Sequence, residues 1–205
     1  MDELDILKKD WKKKDHSFNQ ITEKEIYGML HKRSSSIVKW ILIISICEFL
    51  ILRILDISSF FDKSSVKMME KNHLYNFSLV LTIFNLIVFS GFIIYFYKNF
   101  KKISAASSIK KLMSDILKTR KIVKYYIWYN LILISITTFF VLNSFFKYNK
   151  EINELYEKFP SIFILGSIAT VLFIVLFFWG LYKLLYGILL KRLHNNYQEL
   201  KKLEL

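Results

Sequence analysis

Apolar residues along this chain fall into four long blocks separated by polar, mostly basic stretches. The blocks run over roughly 37–57, 75–95, 125–146 and 161–182. Each supplies the run of about 20 residues that a helix rising 1.5 Å per residue needs to cross a bilayer. Blocks two to four contain no charged residue, whereas the first carries Lys39, Glu48, Arg53 and Asp56. One proline and five glycines in 205 residues leave few breaks, so long helices are expected. The short alternating segments of a transmembrane barrel are not visible. The pattern predicts an all-α membrane protein: four transmembrane helices in an up-down bundle with helical cytoplasmic extensions. Its parts are an amphipathic segment (1–36), the four-span bundle (37–182) with a basic loop over 98–121, and a C-terminal helix (183–205).

The polar stretches carry helical signals of their own. Leu4, Leu7, Trp11 and Phe18 fall on one stripe, with Lys9, Lys12 and Lys13 on the other side. Such a helix suits a membrane surface, a partner or the bundle itself. Thr22 and Glu25 fit a capping box that starts a helix running into the first block. "SSS" at 34–36 is its weak point. Ile109, Leu112, Met113, Ile116 and Val123 share a face leading into the third block. Leu190, Leu193, Tyr197 and Leu200 form a short coiled-coil-like seam. These stripes are expected to pack on one another as an extension of the bundle. Pro160 suits the first turn of the fourth helix.

Charge sets the orientation. Lys and Arg number eight in 1–36, three in 58–73, eight in 98–121, three in 147–160 and five in 183–205. Rich and poor segments alternate, which places both termini and the middle segment in the cytoplasm. The N-terminus lacks the apolar core of a signal peptide before residue 37, so the first span is expected to stay. The net charge of +13 follows the same distribution. Anionic lipid headgroups are the expected counterpart, through Lys110, Lys111, Lys118, Arg120 and Lys121 beside the N-terminal stripe. No phosphate-cradling loop or RNA motif accompanies the charge, so nucleic acid is not an expected partner.

The chain also hints at a duplication. "IVKW" at 37–40 returns as "IVKY" at 122–125, and "SFF" at 59–61 returns at 144–146, both 85 residues on. Phe89–Gly91 and Phe178–Gly180 share F-x-G at a slightly larger offset. Two helical hairpins in parallel repeat would give this pattern. Glu48 then aligns with Leu133, and the carboxylate belongs to one half only.

Chemistry is sparse. The four histidines, at 16, 31, 73 and 194, are spread over both sides of the predicted membrane, and one cysteine, Cys47, makes no thiolate cluster. No metal or other cofactor is expected. No G-x-S-x-G elbow occurs, and no block has a histidine or aspartate at its middle, so an enzyme is not expected. Glu48 stands out, near the middle of the first block. A carboxylate there is expected to be uncharged or bonded to polar groups at its own depth. Asn85, Ser135, Thr137 and Thr170 are the candidates. Arg53 lies about 140° round the helix from Glu48 and is expected to reach outward beside Asp56. Glu48 is thus either a proton- or cation-binding group or a polar tie between helices.

Three stretches carry a resemblance: "TEKEIYGMLHKRSSSIVKW" (22–40), "KTRKIVKYYIWYNL" (118–131) and "YGILLKRLHNNYQELKKLE" (186–204). With the four-block plan, the chain resembles a family of small, largely uncharacterised bacterial inner-membrane proteins. Some members carry the label β-carotene 15,15′-monooxygenase. That label implies a soluble propeller holding iron with four histidines, which this chain's length and histidine spacing do not fit. The short segment before the first block also resembles membrane anti-sigma factors. It is about half the length of such a sigma-binding domain and has no zinc motif.

The resulting expectation is a non-enzymatic inner-membrane protein of interaction or regulatory type. It would contact a protein partner, or further copies of itself, through its cytoplasmic helices. The alternative is a small transport or channel component, with Glu48, Asn85, Thr137, Thr138 and Thr170 lining a path.

Overall fold

A computed structural model describes residues 22–149 and 152–204, and all of its regular elements are helices. They are α1 (Glu23–Phe61), α2 (Lys63–Lys71), α3 (Tyr75–Ser104), α4 (Ile109–Tyr148), α5 (Asn153–Lys158), α6 (Pro160–Tyr182) and α7 (Ile188–Lys202). A π-helical turn, Lys183–Gly187, joins α6 to α7 without a break. Three helices are long and apolar enough to cross a membrane: α3, α4 and the continuous helix Pro160–Lys202. The first helix has the length, at 39 residues, but carries four charges in its apolar part. The stripe of Leu4, Leu7 and Trp11 lies outside the described residues.

The local signals act as expected. Thr22 and Glu25 cap α1 reciprocally: Thr22 N–H donates to Glu25 Oε2 at 2.9 Å, and Glu25 N–H donates to Thr22 Oγ1 at 3.3 Å. Pro160 opens α6. Segment 98–121 is less of a loop than its charge suggests, since only 105–108 is non-helical. Segment 58–73 likewise contains α2. Asp62 starts that helix by accepting from Ser65 N–H at 2.8 Å and Ser65 Oγ at 2.7 Å. Those bonds hold the Asp62 carboxyl below the usual carboxylate range. His73, with φ at 54°, turns the chain from α2 into α3.

The start of α1, the end of α3, the start of α4 and α7 gather at one end, here called the basic end. Tyr27 Oη donates to the Ala106 carbonyl at 3.1 Å, Asn196 Nδ2 to Ser34 Oγ at 3.1 Å, and Lys110 pairs with Glu204 at 3.5 Å. The core sits here. Ile41, Phe96, Ile103, Leu112, Ile116, Val123, Leu193 and Leu200 have no exposed surface. The predicted stripes over 109–123 and 190–200 pack on one another and on α1, and Ser34, at the weak point, is a fully buried polar contact. In the apolar stretches of the three spanning candidates only 11, 17 and 6% is buried inside the protein. Packing therefore tightens toward the basic end and loosens away from it.

The burial pattern repeats. Buried Ser34, Val38, Ile41 and Ser45 of α1 correspond to buried Thr119, Val123, Tyr126 and Asn130 of α4, at the expected offset of 85. Every buried residue of α3 (Asn85, Phe89, Phe96, Asn99, Ile103) corresponds to a buried Tyr182, Tyr186, Leu193, Asn196 or Leu200 at an offset of 97. The broken helix α2–α3 thus matches the continuous helix from Pro160. The F-x-G pair is not the structural equivalence. Contacts follow the same plan: α1 packs on α3 as α4 packs on α6, and α7 packs on α1 as α3 packs on α4.

Candidate functional site

Between α1, α3, α4 and α6 runs a groove of about 910 Å³. It exists because α1 and α6 have no extensive contact with each other, each packing instead on its own neighbour. Its wall is mainly apolar, and its polar members include Glu48, Arg53, Asp56, Asn85, Asn130 and Thr137. On α1 it extends from Trp40 to Phe60, which at 1.5 Å per residue is about 30 Å.

Partway along the α1 wall of the groove, between Trp40 and Phe60, Glu48 meets two tyrosines. Tyr182 Oη donates to Glu48 Oε1 at 2.5 Å, and Tyr186 Oη donates to Oε2 at 2.9 Å. Tyr182 ends α6 and Tyr186 lies in the π-helical turn, so the four-residue spacing presents both hydroxyls to one carboxylate. Both tyrosines are buried, and Glu48 is half-buried. Tyr126 packs edge-on against Tyr186, ring centroids 5.8 Å apart, and also against Phe92 and Phe96. Its own hydroxyl is buried beside the Glu48 carboxylate and the Tyr186 hydroxyl. Beyond the tyrosines the core closes over Ile41, Phe96, Val123 and Leu193.

The polar residues expected beside Glu48 are elsewhere. Asn85 lines the groove, but its Oδ1 accepts from Tyr129 Oη at 2.8 Å. Ser135, Thr137 and Thr170 return their hydroxyls to the carbonyls of Leu131, Leu133 and Gly166 on their own helices. Thr137 and Thr138 face the groove, while Thr170 is exposed elsewhere on α6. The reason is register. Glu48 lies mid-block in α1, but it meets residues at the ends of the third and fourth blocks, so mid-block residues of those helices lie at another level. Tyrosines at i and i+4 closing an apolar block were the available signal, because a buried tyrosine hydroxyl seeks an acceptor. At the duplicated positions Leu133, Asn85 and Phe89 stand for Glu48, Tyr182 and Tyr186, so the carboxylate–tyrosine unit occurs once.

Arg53 also departs from expectation. It pairs with Asp56 at 2.7 Å, yet its side chain is only 9% exposed and lies 5.6 Å over the Phe89 ring, inside the groove. Of the basic candidates, Lys110, Lys111, Lys118 and Lys121 are exposed at the basic end. Arg120 is half-buried, and its Nη1 lies 2.8 Å from His194 Nδ1. His31 is not near that pair by any bond: its Nε2 is buried without a partner. Among the described residues no three His, Cys, Asp or Glu side chains converge as metal ligands would.

Chemically, the arrangement can bind. It offers an open apolar groove, a buried guanidinium, and a carboxylate tied to the turn that leads into α7. No curated protein and no solved structure matches the chain. Residues 24–205 match a family described as a domain of unknown function, DUF8845. That match covers almost every residue of the seven helices, and the chain belongs to this family.

Proposed function

We propose that the chain is a bacterial cytoplasmic-membrane protein that crosses the bilayer four times, up and down, with both termini inside. It acts by interaction rather than catalysis, and it contacts a partner through its cytoplasmic helices. The alternation of Lys and Arg supports the orientation. The fourth crossing is α1. Its awkward charges are met within the protein, Glu48 by two tyrosines and Arg53 by Asp56. Charged groups matched in this way are tolerated at membrane depth.

The observation that carries the regulatory reading is the pair of bonds from Tyr182 and Tyr186 to Glu48. They tie the α1 wall of the groove to a π-helical turn, and that turn continues into α7 at the basic end. Single π-helical turns within α-helices are frequent at functional sites. A change in the groove that moves α1 against this turn is felt at the basic face of Lys110, Lys111, Lys118 and Lys121. That face suits an acidic partner or anionic headgroups.

A second reading, a transport component, is favoured by Glu48, Asn85, Thr137 and Thr138 all lining one groove. The fully buried Ile41, Phe96, Val123 and Leu193 beyond the tyrosines weigh against a path to the cytoplasm.

Truncation is a poor test, because Leu193 and Leu200 belong to the core. Surface charge reversal is better. Tagged protein recovered from its own membrane in nanodiscs is expected to bring a stoichiometric partner. Changing Lys111 and Lys121 together to Glu, with Lys110 and Lys118 left to Glu204 and Asp115, should weaken capture of that partner with little change in thermal stability, since exposed positions contribute about 0.5 kcal/mol or less each. A parent particle that carries only copies of itself, or a partner indifferent to the reversal, contradicts the reading.

A further inference from the structure

Arg53 has more hydrogen-bonding capacity than the protein uses. Its Nη2 is paired with Asp56 Oδ2 at 2.7 Å. Its Nε and Nη1 are both buried and have no acceptor. Guanidinium donors left empty away from water carry a large desolvation penalty. Phe89 lies beneath the guanidinium plane and holds it in place. The neighbouring polar groups do not answer it. The Ser59 hydroxyl turns to the Asp56 carbonyl, Thr137 to Leu133, and Asn85 Oδ1 is taken by Tyr129. The empty donors therefore lie just behind the wall of an apolar groove that Arg53 helps to line, and the guanidinium must turn toward the groove to meet a ligand there.

We propose that the groove binds a long-chain fatty acid, its carboxylate on Arg53 and its alkyl chain along α1 toward Trp40. Three observations select this occupant. The free donors want an anionic oxygen, and the surrounding wall wants hydrocarbon. The span from Arg53 to Trp40 is 13 residues, about 20 Å, bordered by Ile51, Cys47, Ile44 and Leu185. That is the reach of an extended alkyl chain. The local charge also favours a single negative charge: Asp56 and Glu48 flank Arg53, so a dianionic phosphate monoester meets more repulsion than a carboxylate. The inference rests on the chain lying in a membrane and is independent of any protein partner.

Trp40 at the far end of the groove supplies the readout. Trp11, Trp128 and Trp179 are changed to Phe, and the protein is placed in phosphatidylcholine nanodiscs. Hexadecanoic acid brominated near its methyl end is then titrated in. The expected result is saturable quenching of Trp40, with an apparent affinity about tenfold above that of the methyl ester. Arg53→Gln should bring the acid down to the level of the ester. Ile51→Phe, which narrows the chain's path and leaves Arg53 in place, should weaken the acid several-fold, and it serves if Arg53→Gln does not give a monodisperse particle. Quenching that rises linearly with mole fraction and is the same in the variants overturns the proposal. So does an ester that binds as well as the acid. So does competition in which lysophosphatidic acid or phosphatidylcholine displaces the brominated acid more readily than unlabelled hexadecanoic acid does.

Discussion

Glu48→Leu is expected to destabilise the protein by about 2 to 4 kcal/mol, whereas Glu48→Gln should cost about 1 kcal/mol. The difference lies with the tyrosines. Tyr182 and Tyr186 are buried, and both hydroxyls donate to this one carboxylate. Leucine leaves two buried donors without an acceptor, each at a cost of about 1 to 3 kcal/mol. The amide of glutamine keeps one carbonyl oxygen for them. Glu48 is only half-buried, and lipid-embedded polar contacts are often worth less than soluble ones, so the sum stays near the lower end. The tyrosines separate this account from a simple packing effect. Tyr186→Phe should cost about 1 kcal/mol. Tyr126→Phe should cost no more than Tyr186→Phe, since that hydroxyl lies beside Glu48 and Tyr186 but makes no direct hydrogen bond of good geometry. Thermal unfolding of the four variants in the same nanodiscs checks the order. Equal losses for Glu48→Leu and Glu48→Gln would remove the hydrogen bonds from the explanation.

The second large effect concerns the basic end. Ile116→Ala and Leu193→Ala are each expected to cost about 2 to 5 kcal/mol, the usual range for a cavity at a fully buried aliphatic site. Phe173→Ala and Leu176→Ala, in the most apolar helix of the chain, should change stability by less than about 0.5 kcal/mol. Those side chains are 73 and 65% exposed, and in a bilayer they would face lipid. Truncating them exchanges hydrocarbon for hydrocarbon. Hydropathy alone would rank these four the other way, because α6 is the stronger apolar signal. The prediction therefore tests where the core is, and unfolding of the four alanine variants reads it.

Much of the helix plan was legible in the sequence, and so was part of the packing. Thr22 with Glu25, Pro160 and the stripes over 109–123 and 190–200 each state a local preference that tertiary contacts do not override. The 85-residue recurrence of "IVKW" and "SFF" marked a real correspondence between α1 and α4. The site was less legible because it depends on the relative heights of helices. A sequence shows that Glu48 lies mid-block. It does not show that Tyr182, at the end of another block, lies beside it, since α6 rises two turns or more beyond the position that equal blocks would give. Arg53 was hidden for a related reason. Its angle on α1 points away from Glu48, yet the gap between α1 and α6 is wide enough for both to face one groove. The F-x-G pair misled because phenylalanine is abundant here, with 19 in the chain. Register had to come from burial.

The central claim is that α1, despite its four charges, crosses the membrane as the fourth span and carries Glu48 and Arg53 on a protein-facing side. Single cysteines in a Cys47→Ser background test it directly. Lys24→Cys lies in the first turn of α1, Ser64→Cys follows α1, Ser107→Cys joins α3 to α4, Glu154→Cys lies in α5, and Lys202→Cys ends α7; all five positions are exposed. A membrane-impermeant maleimide added to intact cells should label Ser64→Cys and Glu154→Cys. It should reach Lys24→Cys, Ser107→Cys and Lys202→Cys only after lysis. Lys24→Cys and Ser64→Cys labelled alike, both in intact cells or both only after lysis, would mean that α1 does not cross, and the four-span account would fall.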